Sequence, residues 1–479
     1  MLAELAYLLV LAALLPFGLH RLAILWLRFR RPEPAERAAW SGVLPRVTVQ
    51  LPVYNEASVV ERLIDAVCQL DYPRHLLEIQ LLDDSDDETS ELAATRITEW
   101  RLEGVDVDHI RRSTRDGFKA GALSFGLREA RGEFLLVLDA DFVPAPDLIR
   151  SLLPSFGDPG VGMVQARWSH LNDDRSWITR AQALLLDAHF SLEHAARYRA
   201  GRFFNFNGTA GMWRRRCIVE AGGWRCTTLT EDLDLSYRAQ LAGWRFVYRD
   251  DVEVPAELPE TLRALEVQQE RWAEGAIQTA LALLPAIWKS RYPIGTRLEA
   301  TAHLLGHLVH PLAILLALTV GMGAWAGTAS GLLPVWVHAL GLTFALTPFV
   351  IFYAVTARLR GYGLGRALRA TGAALLLGIG LGVPLTGAVL RGLGRGSTPF
   401  VRTPKRGADR RPRYAASAKR TTIAVRLALA LLLSISMGSL LWTGGGLAPF
   451  ALLLTAGHMA ASRESFRSEP VVRQEYVNG

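Results

Sequence analysis

The feature that most constrains this chain is the placement of its charge-free runs. From Ala300 onward there are long stretches with no charged residue, and Met1 to Leu27 carries only Glu4 and Arg21. Apolar runs of roughly 18 residues or more are the length of a membrane-crossing helix. Pro32 to Arg297 is instead mixed and charged, as in a soluble domain. At 479 residues the chain is too long for one ordinary compact domain. It divides into an N-terminal membrane helix (1–30), a soluble domain (31–298) and a C-terminal membrane region (299–479). The first apolar run has no basic n-region and no small-residue cleavage site, so it reads as a retained anchor and not as a signal peptide.

Basic residues set the orientation. The net charge is +7, but the Lys and Arg residues gather beside apolar segments, in Arg28-Phe29-Arg30-Arg31 and through Arg391 to Arg420. Positive charge flanking membrane helices marks the cytoplasmic side, and anionic headgroups add to the attraction. That accounts for the charge without a nucleic-acid partner. Two further spans fall near His303–Trp325 and Trp336–Val355, joined by the charge-free Ala326 to Val335 on the outer side. The next run, Ala370–Leu390, contains Pro384 among glycines, which interrupts a helix pattern. If it crossed, the following segment to Arg420, with ten Lys/Arg and only Asp409, would lie outside. We therefore expect an interfacial or re-entrant element there, followed by a cytoplasmic loop near 391–420. A last hairpin, Val425–Trp442 and Leu447–Ala461, turns at Gly444-Gly445-Gly446. The expected count is five crossings, or six if Ala370–Leu390 spans. The expected location is multi-pass in a membrane (plasma membrane, or inner membrane if bacterial), with the soluble domain cytoplasmic. Cys68, Cys217 and Cys226 show no CxxC spacing and support neither a disulfide framework nor a zinc site.

Within the soluble part, Val47–Val53 alternates as a strand and ends in Tyr54-Asn55-Glu56. Further strands are expected at Leu77–Leu82, near Val105–Ile110, and at Phe134–Leu138. Helical patterns lie between them at Ser58–Leu70, Thr89–Leu102 and Lys119–Ala130. This order implies an α/β domain with a parallel, helix-covered sheet. Ligands gather at the carboxyl ends of such strands, and the acidic residues sit there. Asp139-Ala140-Asp141 offers two carboxylates at a strand end, suited to a hard divalent cation (Mg²⁺ or Mn²⁺) that completes its shell with substrate phosphates. Asp83 and Asp84 stand at another strand tip, while Asp86 to Glu88 suit the start of the next helix. Thr230-Glu231-Asp232-Leu233-Asp234 heads a helix as a capping motif, with Thr230 or Asp232 as N-cap and acids in the first turn, a reading compatible with its supplying a proton-accepting carboxylate. Gln268, Arg271 and Trp272 share one helical turn on a segment from Thr261 to about Leu283, where Arg can meet phosphate and Trp a sugar ring.

Six segments in this order resemble the processive inverting β-glycosyltransferases of glycosyltransferase family 2, the cellulose, mannan, glucomannan and hyaluronan synthase group. They are Pro52-Val53-Tyr54-Asn55-Glu56, Asp83-Asp84-Ser85, Lys119-Ala120-Gly121, Asp139-Ala140-Asp141, Thr230-Glu231-Asp232 and Gln268-x-x-Arg271-Trp272, spread over Val47 to Gly275. The resemblance implies a GT-A (Rossmann-like) fold beside the transmembrane helices, with a nucleotide diphosphate sugar donor of UDP-glucose or GDP-mannose type. It implies donor contacts by Asp83, Asp84, Lys119, Asp139, Gln268 and Arg271, a metal at Asp141 and Asp139, and Asp232 as catalytic base. Acceptor contacts fall to Trp272, Thr230 and Glu231, and to Asn207, Gly208 and Thr209. Phe400-Val401-Arg402-Thr403-Pro404-Lys405 is similar to the gating loop of cellulose synthases, with Phe400, Thr403 and Lys405 matching and Arg402 in place of a valine. The expected activity is extension of a β-linked polysaccharide with translocation of the product. A single addition to a membrane lipid, as in ceramide glucosyltransferases, uses the same donor site, and a silent scaffold that keeps the fold is the non-enzymatic alternative. The expected partners are the donor, a glycan or lipid acceptor and membrane lipids.

Overall fold

The computed structural model describes residues 2–34, 40, 42–325, 335–394, 419–442 and 448–467. The soluble domain is built on one seven-stranded sheet. Its strands are β1 (Val47–Val53), β2 (Leu77–Asp83), β3 (Val107–Arg111), β4 (Phe134–Val137), β5 (Val161–His170), β6 (Gly211–Arg214) and β7 (Arg245–Ala256), in the order β3-β2-β1-β4-β6-β5-β7. The first four pair in parallel, as their alternation with the helices Val60–Cys68, Thr89–Leu102 and Phe118–Glu129 requires. Beyond β4 the sheet departs from the expected all-parallel form. β6 runs antiparallel to both β4 and β5, which makes the sheet mixed.

Both faces of the sheet are covered. Val49, Leu51, Ile79 and Leu136 lie in one core, and Leu82, Leu135, Val137 and Trp213 in the other. The alternating polar residues of β1 are therefore buried too, and they survive by pairing across to β2. Gln50 donates to Gln80 at 3.0 Å and Thr48 to Glu78 at 2.5 Å.

Outside the domain lie the helices Leu2–Arg30, Ile294–Leu304, Val309–Trp325, Val335–Leu359, Leu364–Leu393, Arg420–Trp442 and Ala448–Arg467. Among the described residues, three helices are long and apolar enough to cross a membrane: Leu5–Arg30, Leu364–Leu393 and Arg420–Met437. A fourth span results if Ile294–Leu304 and Gly306–Gly321, bent by 51°, count as one. Arg28, at the basic end of the first helix, donates to the Ser191 carbonyl at 2.8 Å and pairs with Asp250 at 3.5 Å. The domain thus sits against the basic ends of the helices.

The expected interruption at Pro384 is absent. Leu364–Leu393 runs unbroken for 30 residues. Proline removes the N–H that would bond the carbonyl four residues earlier, here that of Gly380. Arg426, fully buried on the neighbouring helix, donates to that carbonyl through Nε at 2.9 Å and Nη2 at 2.6 Å. The same guanidinium meets Glu266 of the domain at 2.7 Å. A side chain 46 positions away supplies what the helix lacks, and no local pattern could announce it.

Candidate active site

The carboxyl ends of β1, β2 and β4 open into a cleft of about 1340 Å³. The segment after β4 brings Asp139 and Asp141 to it, and the helix Glu231–Leu241 brings Glu231 and Asp232. The helix Leu262–Lys289 adds Gln268, Arg271 and Trp272. These helices can approach because Gly275 lacks a side chain. A Cβ there would lie 2.6 Å from the Thr230 methyl and 2.9 Å from its nitrogen. Thr230 is the N-cap residue, yet its side chain makes no capping bond. It turns instead toward Thr279 of the second helix, with the hydroxyls 3.3 Å apart. Thr230 thus holds the expected N-cap position, with Glu231, Asp232 and Asp234 in the first turn, but without the side-chain capping bond.

Lys119 ties the acids together. Its ammonium donates to Asp139 Oδ1 at 2.5 Å and to the Gly208 carbonyl at 2.8 Å. Gly208 has φ +80°, and a Cβ on it would lie 3.0 Å from Asp232 Oδ2 and 3.4 Å from the Lys119 nitrogen. Only glycine fits that slot. Gly208→Ala is expected to displace the Asp232 carboxylate and lower turnover about tenfold or more, while nucleotide binding persists, because φ > 0 costs a β-carbon about 1–2 kcal/mol and the clash adds to it. Turnover and nucleotide titration on the purified variant check this.

Asp232 Oδ1 accepts from the Leu233 N–H at 2.8 Å, which leaves Oδ2 facing the cleft. Burial, then the neighbouring Glu231 charge, pushes this carboxyl up to about 7, against the pull of Lys119 and Arg271. A carboxylate poised near neutrality is suited to accept a proton.

Asp139 and Asp141 both line the cleft. Among the described residues no group of three or more His, Cys, Asp and Glu could hold an ion alone. Two carboxylates with room for phosphate oxygens are the hard donor set that Mg²⁺ or Mn²⁺ uses with a nucleotide. The residues fit a cation that arrives with, or is completed by, a diphosphate.

Two expected positions differ. Asp83 does not line the cleft: it is buried and takes hydrogen bonds from His109 (2.8 Å), the Ser85 N–H (2.8 Å) and Ser90 (2.6 Å). Burial pushes its carboxyl up, but these bonds outweigh it and hold it down at about 2. Asp84 does reach the cleft, gripped by both arms of Arg112. Thr209 is also buried outside the cleft, where its hydroxyl accepts from the Asp139 N–H at 2.8 Å and supports the loop from beneath. Phe400, Thr403 and Lys405 lie outside the described residues. Asn207, Gly208, Thr230, Glu231, Gln268, Arg271, Trp272, Lys119, Asp139, Asp141 and Asp232 all converge.

The sequence reading missed Arg115 and Trp168. Arg115 stacks 3.2 Å above the Tyr54 ring at the cleft wall. It comes from a polar loop without periodicity, so nothing local singled it out. Trp168 packs 6.5 Å from Trp272 but sits in a strand, where an aromatic reads as core.

A mixed α/β sheet with acids at its strand ends, faced by a helix carrying Arg271 and Trp272, is a domain of GT-A type. Residues 45–275 match the family model described as glycosyltransferase-like family 2. Glucomannan 4-beta-mannosyltransferase 2 of Arabidopsis thaliana is 42% identical over 240 residues, covering 49% of this chain and 45% of that protein. Glucomannan 4-beta-mannosyltransferase 1 of Oryza sativa subsp. japonica is 40% identical over 256 residues, covering 52% and 49%. The chain thus spans about half the length of these curated relatives. Among solved structures, the mannosyltransferase PcManGT from Pyrobaculum calidifontis, in complex with GDP-Man and Mn²⁺, aligns over 82% of this chain and 99% of its own. Its TM-score of 0.57 at 22% identity is a likeness of fold.

Proposed function

We propose that this protein is a membrane-embedded inverting glycosyltransferase that moves a hexose from a nucleotide diphosphate sugar to a growing β-linked glycan, with its catalytic domain in the cytoplasm. The observation that carries this is the continuous chain Asp139–Lys119–Gly208–Asp232 along one cleft wall, with Arg271 and Trp272 facing the same cleft. Asp232 Oδ2 takes the proton of the acceptor hydroxyl as that oxygen attacks the anomeric carbon, and the donor's glycosidic bond to phosphate breaks on the opposite side. Arg271 and Lys119 offset the charge left on the diphosphate. Trp272 offers a ring face to the acceptor sugar, Gln268 stands beside it, and Asp84 with Arg112 borders the nucleoside end. A divalent cation at Asp139 and Asp141, when bound, supplies further positive charge to the departing diphosphate.

The names of the relatives favour mannose as the sugar, and PcManGT was captured with GDP-Man. We therefore place GDP-mannose ahead of UDP-glucose. Docking of the Arg28 end of the first helix on the domain, together with the inward bias of basic residues, supports the cytoplasmic side.

A screen of nucleotide sugars by nucleotide release on the purified protein tests the reading. GDP-mannose is expected to turn over best, and no release from any donor would refute the enzyme assignment. Removal of divalent ions with EDTA is expected to lower turnover at least about hundredfold, since such an ion contributes several kcal/mol to a charged transition state. Restoration by Mn²⁺ or Mg²⁺ completes that test. Full activity in EDTA would exclude the cation.

A further inference from the structure

A second and larger cavity, about 2940 Å³, adjoins the cleft. The two share Trp168, Asn207, Thr230, Asp232, Gln268 and Trp272, so the space is continuous past the base. Its far walls come from Leu2–Arg30, Val309–Trp325, Val335–Leu359, Leu364–Leu393 and Ala448–Arg467.

The chemistry of those walls changes with depth. Arg28 touches the domain, and Arg21 lies seven residues further along the same helix, roughly 10 Å at 1.5 Å per residue. At Arg21 the lining is polar and internally paired. Arg21 bonds Glu193, and His20 meets Glu299 at 2.9 Å. Arg197 bridges Glu193 at 3.0 Å and Glu299 at 2.9 Å. His189 completes the layer by bonding Asn207 at 3.0 Å. Two arginines oppose two glutamates, so this collar carries no excess charge for an anion. Its open edge reaches Asp232 through Asn207. Beyond the collar the walls are mainly apolar, with His307, His310 and His458 as their polar lining residues. Among the described residues, every lining residue within 14–17, 313–316, 345–349, 378–382 and 450–454 is apolar, including Leu14, Phe17, Ile314, Phe349 and Phe450.

We propose that this deep apolar half holds the hydrocarbon tail of an amphiphilic acceptor, whose hydroxylated head lies in the collar within reach of Asp232. The inference rests on the transfer reading above and names the anchor on which the glycan is built. A bare polysaccharide would bring several hydroxyls per ring past walls that offer few partners, and unbonded hydroxyls are strongly disfavoured in such surroundings. An alkyl tail meets the opposite balance, because each buried methylene tightens binding up to about fourfold.

Alkyl β-mannosides from butyl to dodecyl, kept below their micelle concentrations, test this on the full-length protein in nanodiscs with the donor that turns over. The expected result is that kcat/KM rises with each added methylene, by up to about fourfold per step. Ala345→Trp, which fills the deep half, is expected to abolish the gain for dodecyl while leaving the butyl acceptor unchanged. Leu453→Trp on a different helix serves if the first variant does not fold. A photoreactive dodecyl mannoside is expected to label residues 313–316 or 345–349 in Asp232→Asn, without turnover. Equal rates for all tails, soluble manno-oligosaccharides as good as the dodecyl compound, or labelling elsewhere would overturn the tail site and leave the transfer reading standing. Labelling at the deep walls with no transfer from any donor would instead sink the transfer reading and keep the site.

Discussion

Asp232→Asn is expected to lower turnover by about 10²–10⁴-fold, the range of a positioned general base, with nucleotide affinity nearly unchanged. The amide keeps the shape of the side chain, and its carbonyl oxygen can still accept the Leu233 N–H that orients it. What it cannot do is take the acceptor proton. Lys119, Asp139 and Arg271, which line the same cleft, remain in place. The wild-type pH profile gives a second reading of the same group. Asp232 must be ionised to act, and its carboxyl is pushed up to about 7 by burial and by Glu231. Below that value kcat/KM is therefore expected to fall about tenfold per pH unit as the base is protonated. Above it the profile levels off. A variant with unaltered kcat, or a wild-type profile flat from pH 5 to 8, would remove Asp232 from the chemistry.

The second large effect concerns stability. Arg426→Met is expected to destabilise the protein by about 3–5 kcal/mol, because breaking a buried ion pair from one side strands the other charge. Glu266 would keep only Arg263, at 3.1 Å. The Gly380 carbonyl would lose both its bonds, and Pro384 has no N–H to replace them. The thermal midpoint in detergent should drop by on the order of 10 °C. Adding Pro384→Ala to that variant should recover part of the loss, since alanine restores the missing helical donor. No recovery would mean that the carbonyl is not the group at stake. An unchanged midpoint in Arg426→Met would dismiss the whole account. Glu266 lies on the helix that carries Gln268, Arg271 and Trp272, so this pair also locks the site to the membrane-facing helices.

Much of the cleft was legible in the chain because its residues stand beside local signals. Asp139 and Asp141 follow a short apolar strand, Lys119 opens a helix, and Arg271 and Trp272 share one helical turn. Period and punctuation alone place such residues at strand ends and on helix faces. Asp83 and Thr209 carry the same motif signals as their neighbours, yet they point into the protein. Which of two adjacent acids faces a cleft depends on His109, Ser90 and the turn at Ser85, and those contacts are tertiary. Arg115 and Trp168 were invisible for the complementary reason: a loop arginine and a strand tryptophan have no local context that distinguishes a cleft wall from a surface or a core.

The sequence by itself determined the division into a charged α/β domain and apolar helices, the first four strands, and the set of acidic and basic residues available for chemistry. These follow from periodicity, charge and chain direction, which act over a few residues. Only the tertiary structure decided that β6 enters the sheet antiparallel, that Leu364–Leu393 passes Pro384 unbroken, and that an apolar chamber opens behind Asp232. Each depends on groups far apart in the chain meeting in space: Arg426 on an orphaned carbonyl, Gly275 against Thr230, five helices around one void. Hydrogen-bond satisfaction and packing are properties of that assembly, and no single segment carries them.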